Sequence, residues 1–127
     1  GSSLSCVLGV ANNAHLNRIN SEIEKQGGSY EDIKVRATTL NCIFDDLKES
    51  LSIAENTNFI DYLSIDAEGS EYEILKSADL NLFHIPLISI EFNHNKPREC
   101  DMLAMDFLKQ NNYIPTQQVC GDLFFCK

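Results

Sequence analysis

Carboxylates follow two short apolar segments of the chain, and they are the side chains best suited to chemistry. The segment 62–65 is followed by Asp66 and Glu68, and the segment 87–90 is followed by Glu91. A carboxylate at the end of a buried strand is costly unless a ligand, a metal ion or a hydrogen bond compensates it. Acids are also common in the first turn of a helix, where they only complement its dipole. We interpret Asp66 as functional, whereas Glu68 fits both roles.

The second strand end combines an acid, an amide and an imidazole, because Glu91 is followed by Asn93 and His94. With Asp66, the oxygen atoms of Glu91 and Asn93 could hold Mg²⁺, which would lower the pKa of a substrate hydroxyl. An ordinary polar loop explains the same cluster, and we favour it over a metal site. His94 could act as a general base, since its unperturbed pKa lies near neutrality, although a solvated histidine is the simpler interpretation.

A strand, helix, strand unit positions these side chains. Neither apolar segment shows polar alternation, which is typical of parallel strands that are covered on both faces. Between them Ser70 and Glu73 have the spacing of a capping box, and the apolar stripe of the helix that follows is predicted to consist of Ile74, Leu75 and Ala78. Glu71 and Glu73 are interpreted as ordinary acids of its first turn. A right-handed crossover makes the strands parallel and brings both carboxyl ends to one edge, where α/β sheets bind ligands.

Further helices and strands are predicted on both sides of this unit. Helical spacing predicts helices at 16–26, 40–51 and around 103–108, and β-prone segments occupy 6–10, 33–39, 113–119 and 123–126. Cys120, Gly121 and Asp122 join the last two segments and indicate a hairpin. The expected architecture is an α/β fold whose mainly parallel sheet ends in an antiparallel hairpin.

Composition limits the class of protein. A chain of 127 residues with 43% hydrophobic content can bury one core, so we expect a single domain over residues 1–127. The net charge of -9 disfavours nucleic acid and anionic membranes as partners. No apolar run approaches the roughly 18 residues of a membrane span, and no signal-peptide core is recognisable, so the cytoplasm is favoured while the compartment stays open. The five cysteines include no CxxC pair.

The chain resembles the C-terminal part of FkbM-family methyltransferases in three segments, TTLNCIFDDL, IDYLSIDAEGSEYEILKSADL and LISIEFN, over roughly residues 38–127. The resemblance implies a Rossmann-like class I methyltransferase fold and methyl transfer from S-adenosylmethionine, usually to a hydroxyl oxygen of a small molecule or sugar. It implies that Asp66, Glu68 and Gly69, which match the family signature, bind the cofactor. It further implies that Glu68 and Glu91 take part in catalysis, with Glu91 facing the acceptor.

The chain departs from this family at its beginning. A complete member has a glycine-rich turn after its first strand and an acid at the end of its second, where they bind the cofactor. Neither is recognisable in the sequence, since Gly27 and Gly28 follow a predicted helix rather than a strand. We therefore expect an incomplete domain.

Three functions stay open for such a domain. The first is an S-adenosylmethionine-dependent O-methyltransferase acting on a small-molecule acceptor. The second is a catalytically inert half-domain or interaction module, whose exposed sheet edge would favour self-association. A Mg²⁺-dependent phosphotransfer or nuclease domain ranks last, because no phosphate-cradling loop or basic groove is recognisable.

Overall fold

The structure, a computed structural model, describes residues 13–27, 29, 31–54 and 60–127. Its helices and strands, in chain order, are α1 (Asn13–Gln26), α2 (Leu40–Ser50), β1 (Tyr62–Ile65), α3 (Glu71–Lys76), β2 (Leu87–Glu91), α4 (Glu99–Gln110), β3 (Ile114–Val119) and β4 (Asp122–Cys126). The four strands form one sheet in the order β1-β2-β4-β3. The strand predicted at 6–10 lies outside the described residues.

The sheet is mixed. β1 and β2 are parallel, with Ile65 paired to Ile90, which confirms the predicted strand, helix, strand unit. β4 pairs antiparallel with both β2 and β3. The prediction of a mainly parallel sheet was therefore wrong for the described strands, because the closing hairpin inserts β4 beside β2 and supplies both antiparallel pairs.

The predicted closing hairpin is confirmed, and its turn has a clear local cause. Val119 pairs with Asp122, so Cys120 and Gly121 form a two-residue loop. Both have positive φ, 50° and 104°, as the favoured type of two-residue hairpin turn requires. Glycine meets this requirement without strain, and it stands at the position with the larger angle.

The hydrophobic core lies on one side of the sheet. It includes Ile65, Ile88, Ile90 and Phe125 from the strands, Leu75 from α3, and Ala104 and Leu108 from α4. On the other side Ser89 is buried and shares a 2.7 Å hydrogen bond with the hydroxyl of Tyr62, which is itself 47% exposed. On this second face of β2, Ser89 is buried but Leu87 and Glu91 are partly exposed, so the predicted coverage of both faces is only partial. β1 is covered on one face only in the described part of the chain, so the prediction fails there.

Helix ends follow the local signals in the sequence. α1 ends before Gly27, whose N–H donates to the carbonyl of Ile23 at 2.9 Å. α2 begins after Thr39, whose hydroxyl accepts the N–H of Cys42 at 3.2 Å. α4 ends at Gln110 with Asn111 as its C-cap, and this confirms the end predicted near Asn111 and Asn112.

The strand predicted at 33–39 is wrong. Residues 31–39 form neither helix nor strand, and the side chains of Ile33 and Val35 are 72% and 76% exposed. Alternation predicts a strand only where a neighbouring strand can take its backbone hydrogen bonds. No such neighbour lies beside this segment among the described strands.

Candidate active site at the carboxyl ends of β1 and β2

The parallel pair brings two acids to the same edge of the sheet. Ile65 and Ile90 are register partners, Asp66 follows the first, and Glu91 follows the second. Asp66 is exposed, and Glu91 is partly buried. The expectation that both strand ends emerge together is therefore confirmed.

The chain leaves β1 through a tight left-handed turn. The N–H of Ser70 donates to the carbonyl of Ala67 at 3.2 Å, and the two residues between them have φ of 52° at Glu68 and 108° at Gly69. Glycine adopts such angles freely, whereas a residue with a side chain does so at a cost of roughly 1–2 kcal/mol. Glu68 is thus held in a strained conformation, as is common at functional sites.

Glu71 holds this turn, although the sequence suggested only an ordinary first-turn acid. Its side chain is 1% exposed, and its Oε1 accepts the N–H of Ala67 at 3.0 Å and the N–H of Gly69 at 3.1 Å. Its Oε2 is buried and has no hydrogen-bond partner among the described residues. One carboxylate oxygen therefore satisfies two backbone donors of the turn, while the other is left unpaired.

The predicted capping box was wrong. Ser70 does precede α3, but its hydroxyl makes no capping hydrogen bond. Glu73 is exposed and pairs with Lys76 at 2.8 Å instead of reaching back to Ser70. The backbone of Ser70, with φ of -96° and ψ of 4°, is not in the extended conformation of a usual N-cap. The carboxylate of Glu71, and not the predicted Ser70 and Glu73 pair, accepts hydrogen bonds from N–H groups of the turn.

Arg98 links the end of β2 to the start of α4. Its Nη2 lies 2.9 Å from Oε2 of Glu91 and 2.7 Å from Oδ1 of Asp101. The hydrogen bond with Asp101, and then that with Glu91, raises the pKa of the Arg98 guanidinium, against the opposing effect of burial. Sequence reasoning missed both Arg98 and Asp101. Arginine cannot accept the N–H groups of a helix start, so the capping pattern gives no signal for Arg98, and only the acid three positions later fits half of a capping box.

A thiol lies close to the two buried acids. Ligand atoms of Glu71, Cys100 and Asp101 all lie within 4.8 Å of one another. Burial raises the pKa of the Cys100 thiol, and the charges of Asp101 and Glu71 add to this effect, while the charge of Arg98 opposes it. The thiol of Cys100 donates to Oδ1 of Asp101 at 3.7 Å, and Arg98 binds the same oxygen, so we interpret this carboxylate as a partner of Arg98 and Cys100 rather than as a metal ligand.

The Mg²⁺ hypothesis finds no support at this edge. Oε2 of Glu91 is bonded to Arg98, and Oδ1 of Asn93 accepts the N–H of Lys96 at 3.2 Å. His94 is exposed in the turn after β2. The structure thus places Asp66, Glu68 and Glu91 at one edge, with His94 on the loop that leaves it.

Comparison with known families tests the resemblance. The family model described as the methyltransferase FkbM domain matches residues 1–117. The match begins well before residue 38, where the sequence resemblance was first recognised, and it ends inside β3. Comparisons with curated proteins and with solved structures found no match.

The described structure agrees with this match. Its mixed α/β sheet is compatible with part of a methyltransferase-like fold. Among the described residues, no helix is long and apolar enough to cross a bilayer. Because the family model covers all but the last residues of the chain, the protein belongs to the FkbM methyltransferase domain family.

Proposed function

We propose that this chain forms the strand-end part of an S-adenosylmethionine-dependent O-methyltransferase that acts on a hydroxyl group of a small molecule or sugar. Family membership supports methyl transfer, for which S-adenosylmethionine is the general donor. The observation that carries the site is the register of β1 and β2, which brings Asp66 and Glu91 to one edge. In open α/β sheets this edge is where ligands bind.

The residues of the turn fit the cationic part of the cofactor. When bound, S-adenosylmethionine supplies an electrophilic methyl group on a positively charged sulfur. Asp66 and Glu68 would favour that charge, and Gly69, without a side chain, would let the ligand approach the backbone. No strand of residues 60–127 is followed by a glycine-rich turn. The fit therefore concerns the sulfonium side of the cofactor and not its adenosine.

Glu91 is suited to orient an acceptor. Its carboxylate is held by Arg98 at 2.9 Å, so it can accept a substrate hydroxyl in a defined position. His94, on the loop after β2, would take the hydroxyl proton. Methyl transfer needs chiefly an aligned and desolvated oxygen, and positioning of this kind supplies most of the rate.

Calorimetric titration with S-adenosylmethionine, which carries the sulfonium charge, tests the proposal on this chain and on the longest natural form that carries it. We expect micromolar binding, weakened about tenfold by Asp66→Asn, since a charge-assisted contact contributes about 1.5 kcal/mol. The matched control is Asp106→Asn, on an exposed position of α4, which should leave the affinity unchanged. Absence of binding in both forms would overturn the proposal, as would equal affinities of the Asp66 and Asp106 variants.

The inert half-domain remains a second candidate because of one observation. β1 is an edge strand of the described sheet, and its outer face carries Tyr62 at 47% exposure. An open edge of this kind favours pairing with another chain. Size-exclusion chromatography tests this function. A self-associated chain without affinity for S-adenosylhomocysteine would support it, and a monomer that binds with micromolar affinity would contradict it.

A further inference from the structure

We infer that Glu71 is a positioning residue: its buried carboxylate holds the turn 66–69 in the conformation that presents Asp66 and Glu68 at the edge of the sheet. Its importance for methyl transfer rests on the proposed function. Its effect on the turn does not, and can be measured without any ligand.

The first argument is the hydrogen-bond geometry. Backbone N–H groups of a left-handed turn converge into a concave site that attracts anions. Here Oε1 of Glu71 occupies that site, at 3.0 Å from the nitrogen of Ala67 and 3.1 Å from that of Gly69. Because the donors are already satisfied from within the chain, the turn offers no anion site to a ligand. It presents carboxylates outward instead, which suits a cationic ligand.

The second argument is burial. Glu71 is 1% exposed, whereas Glu73, two residues further along the six-residue helix α3, is exposed and pairs with Lys76. A first-turn acid that served only the helix dipole could stay in water, as Glu73 does. Burying a carboxylate is costly unless hydrogen bonds compensate it. The compensation is provided by the turn, so the acid and the turn depend on each other.

The third argument is continuity with the second strand end. Glu71 lies close to Cys100 and Asp101, Asp101 is bound by Arg98, and Arg98 binds Glu91. The carboxylate of Glu71 therefore lies beside the contacts that hold the last residue of β2, although no hydrogen bond joins it to Cys100 or Asp101 among the described residues. A shift of the turn would change its position relative to Glu91.

The unpaired oxygen makes the inference sharply testable. Oε2 of Glu71 has no hydrogen-bond partner among the described residues. In Glu71→Gln the amide oxygen can still accept from Ala67 and Gly69, while the amide nitrogen replaces the oxygen that lacks a partner. A positioning role therefore predicts that Glu71→Gln, unlike Glu71→Ala, keeps the turn in its original conformation. A role in binding a cation, such as the metal that Glu71, Cys100 and Asp101 could hold, predicts that it does not.

The experiment compares amide hydrogen exchange of Ala67 and Gly69 by NMR in the ligand-free chain. In Glu71→Ala we expect exchange at both amides to accelerate by about tenfold or more, because a charge-assisted hydrogen bond is lost. Glu71→Gln should stay within about threefold of the original chain, and so should the control Glu73→Ala. The core amide of Phe125 reports whether the fold survives.

Glu71→Asp covers the case in which the alanine variant does not fold. It keeps the charge but shortens the side chain by one methylene, so exchange at Ala67 and Gly69 should accelerate while Phe125 stays protected. Unchanged exchange at the two turn amides in both the alanine and the aspartate variants would overturn the inference. So would a glutamine variant as damaged as the alanine variant.

Affinity for S-adenosylmethionine separates this inference from the proposed function. We expect about a tenfold loss in Glu71→Ala, matching the lost hydrogen bond, and retention in Glu71→Gln. If the original chain and its longest natural form bind nothing, the methyltransferase proposal fails, while the exchange data still decide the role of Glu71 in the turn.

Discussion

Arg98 and Asp101 form a hydrogen-bonded ion pair at the start of α4. The Nε of Arg98 lies 2.8 Å from Oδ1 of Asp101, and its backbone nitrogen lies 2.8 Å from Oδ2, so both carboxylate oxygens are satisfied by one residue. The side chain of Asp101 is completely buried, whereas that of Arg98 is 24% exposed. Arg98 is therefore the only charge partner of this carboxylate that the described contacts show.

We predict that Arg98→Ala destabilises the protein by about 3 kcal/mol, because it leaves the buried charge of Asp101 uncompensated. Urea denaturation measures this loss. The control is Lys76→Ala, which removes the exposed partner of Glu73 and should cost less than about 1 kcal/mol. Equal losses in the two variants would show that the Arg98 pair behaves like an ordinary surface pair.

The strained turn allows backbone and side-chain effects at Glu68 to be separated. Because φ is 52° at this residue, Glu68→Gly should be more stable than Glu68→Ala by about 1 kcal/mol. Both variants should lose affinity for S-adenosylmethionine to the same extent, since both lack the carboxylate.

Ser52 provides the matched control for Glu68. It has the same φ of 52° but follows helix α2 rather than a strand. Ser52→Gly should likewise be more stable than Ser52→Ala, and neither change should alter the affinity. Denaturation curves and calorimetry on the four variants test this. If Glu68→Gly is no more stable than Glu68→Ala, the backbone at residue 68 is not strained.

Cysteine reactivity should differ sharply between two positions. Hydrogen bonds from the side chains of Thr39 and Thr38 lower the pKa of the exposed Cys42 thiol, whereas burial raises the pKa of Cys100. Since the thiolate is the nucleophile, iodoacetamide should alkylate Cys42 several times faster than Cys100 at neutral pH, as measured by peptide mass spectrometry.

Changes at Thr39 test the cause of that reactivity. Thr39→Val removes the hydroxyl and should slow the alkylation of Cys42, whereas Thr39→Ser keeps it and should not. In denaturant the two cysteines should react at similar rates. Faster reaction of Cys100 than of Cys42 in the folded protein would contradict the assignment.

Tyr113 should make stability fall at alkaline pH. Its hydroxyl donates to the carbonyl of Ile85 at 2.8 Å, and burial raises the pKa of the Tyr113 phenol. The unfolded chain then loses its proton first, so this contribution to stability is complete below about pH 10, the ordinary tyrosine pKa, and is lost as pH rises through the folded pKa.

Tyr113→Phe should flatten this alkaline loss while lowering stability near neutral pH by about 1 kcal/mol, the net contribution of a hydrogen bond. Denaturation at a series of pH values measures both effects. Tyr62→Phe is a useful comparison because the hydroxyl of Tyr62 bonds to Ser89 on the other side of the sheet. An unchanged alkaline slope in the Tyr113 variant would assign the loss to other groups.

Much of the architecture could be predicted because its signals are local. The apolar segment 62–65 predicted β1 at the residues where it lies, and Gly27 and Asn111 predicted where two helices end. The parallel pairing of β1 and β2 followed from the short helical crossover. The strand predicted at 33–39 was wrong because an alternating pattern does not tell whether a partner strand lies beside the segment.

The sequence by itself determined the strand ends, and with them the positions of Asp66 and Glu91. Each strand is a short apolar segment, and the polar residues that mark its end are adjacent to it in the sequence. Only the tertiary structure decided which acids are buried. Glu71 and Glu73 differ by two positions in one short helix, yet one holds the turn and the other faces water. The choice depends on how α3 packs against α4 and the turn, where hydrogen-bond donors compensate a buried charge.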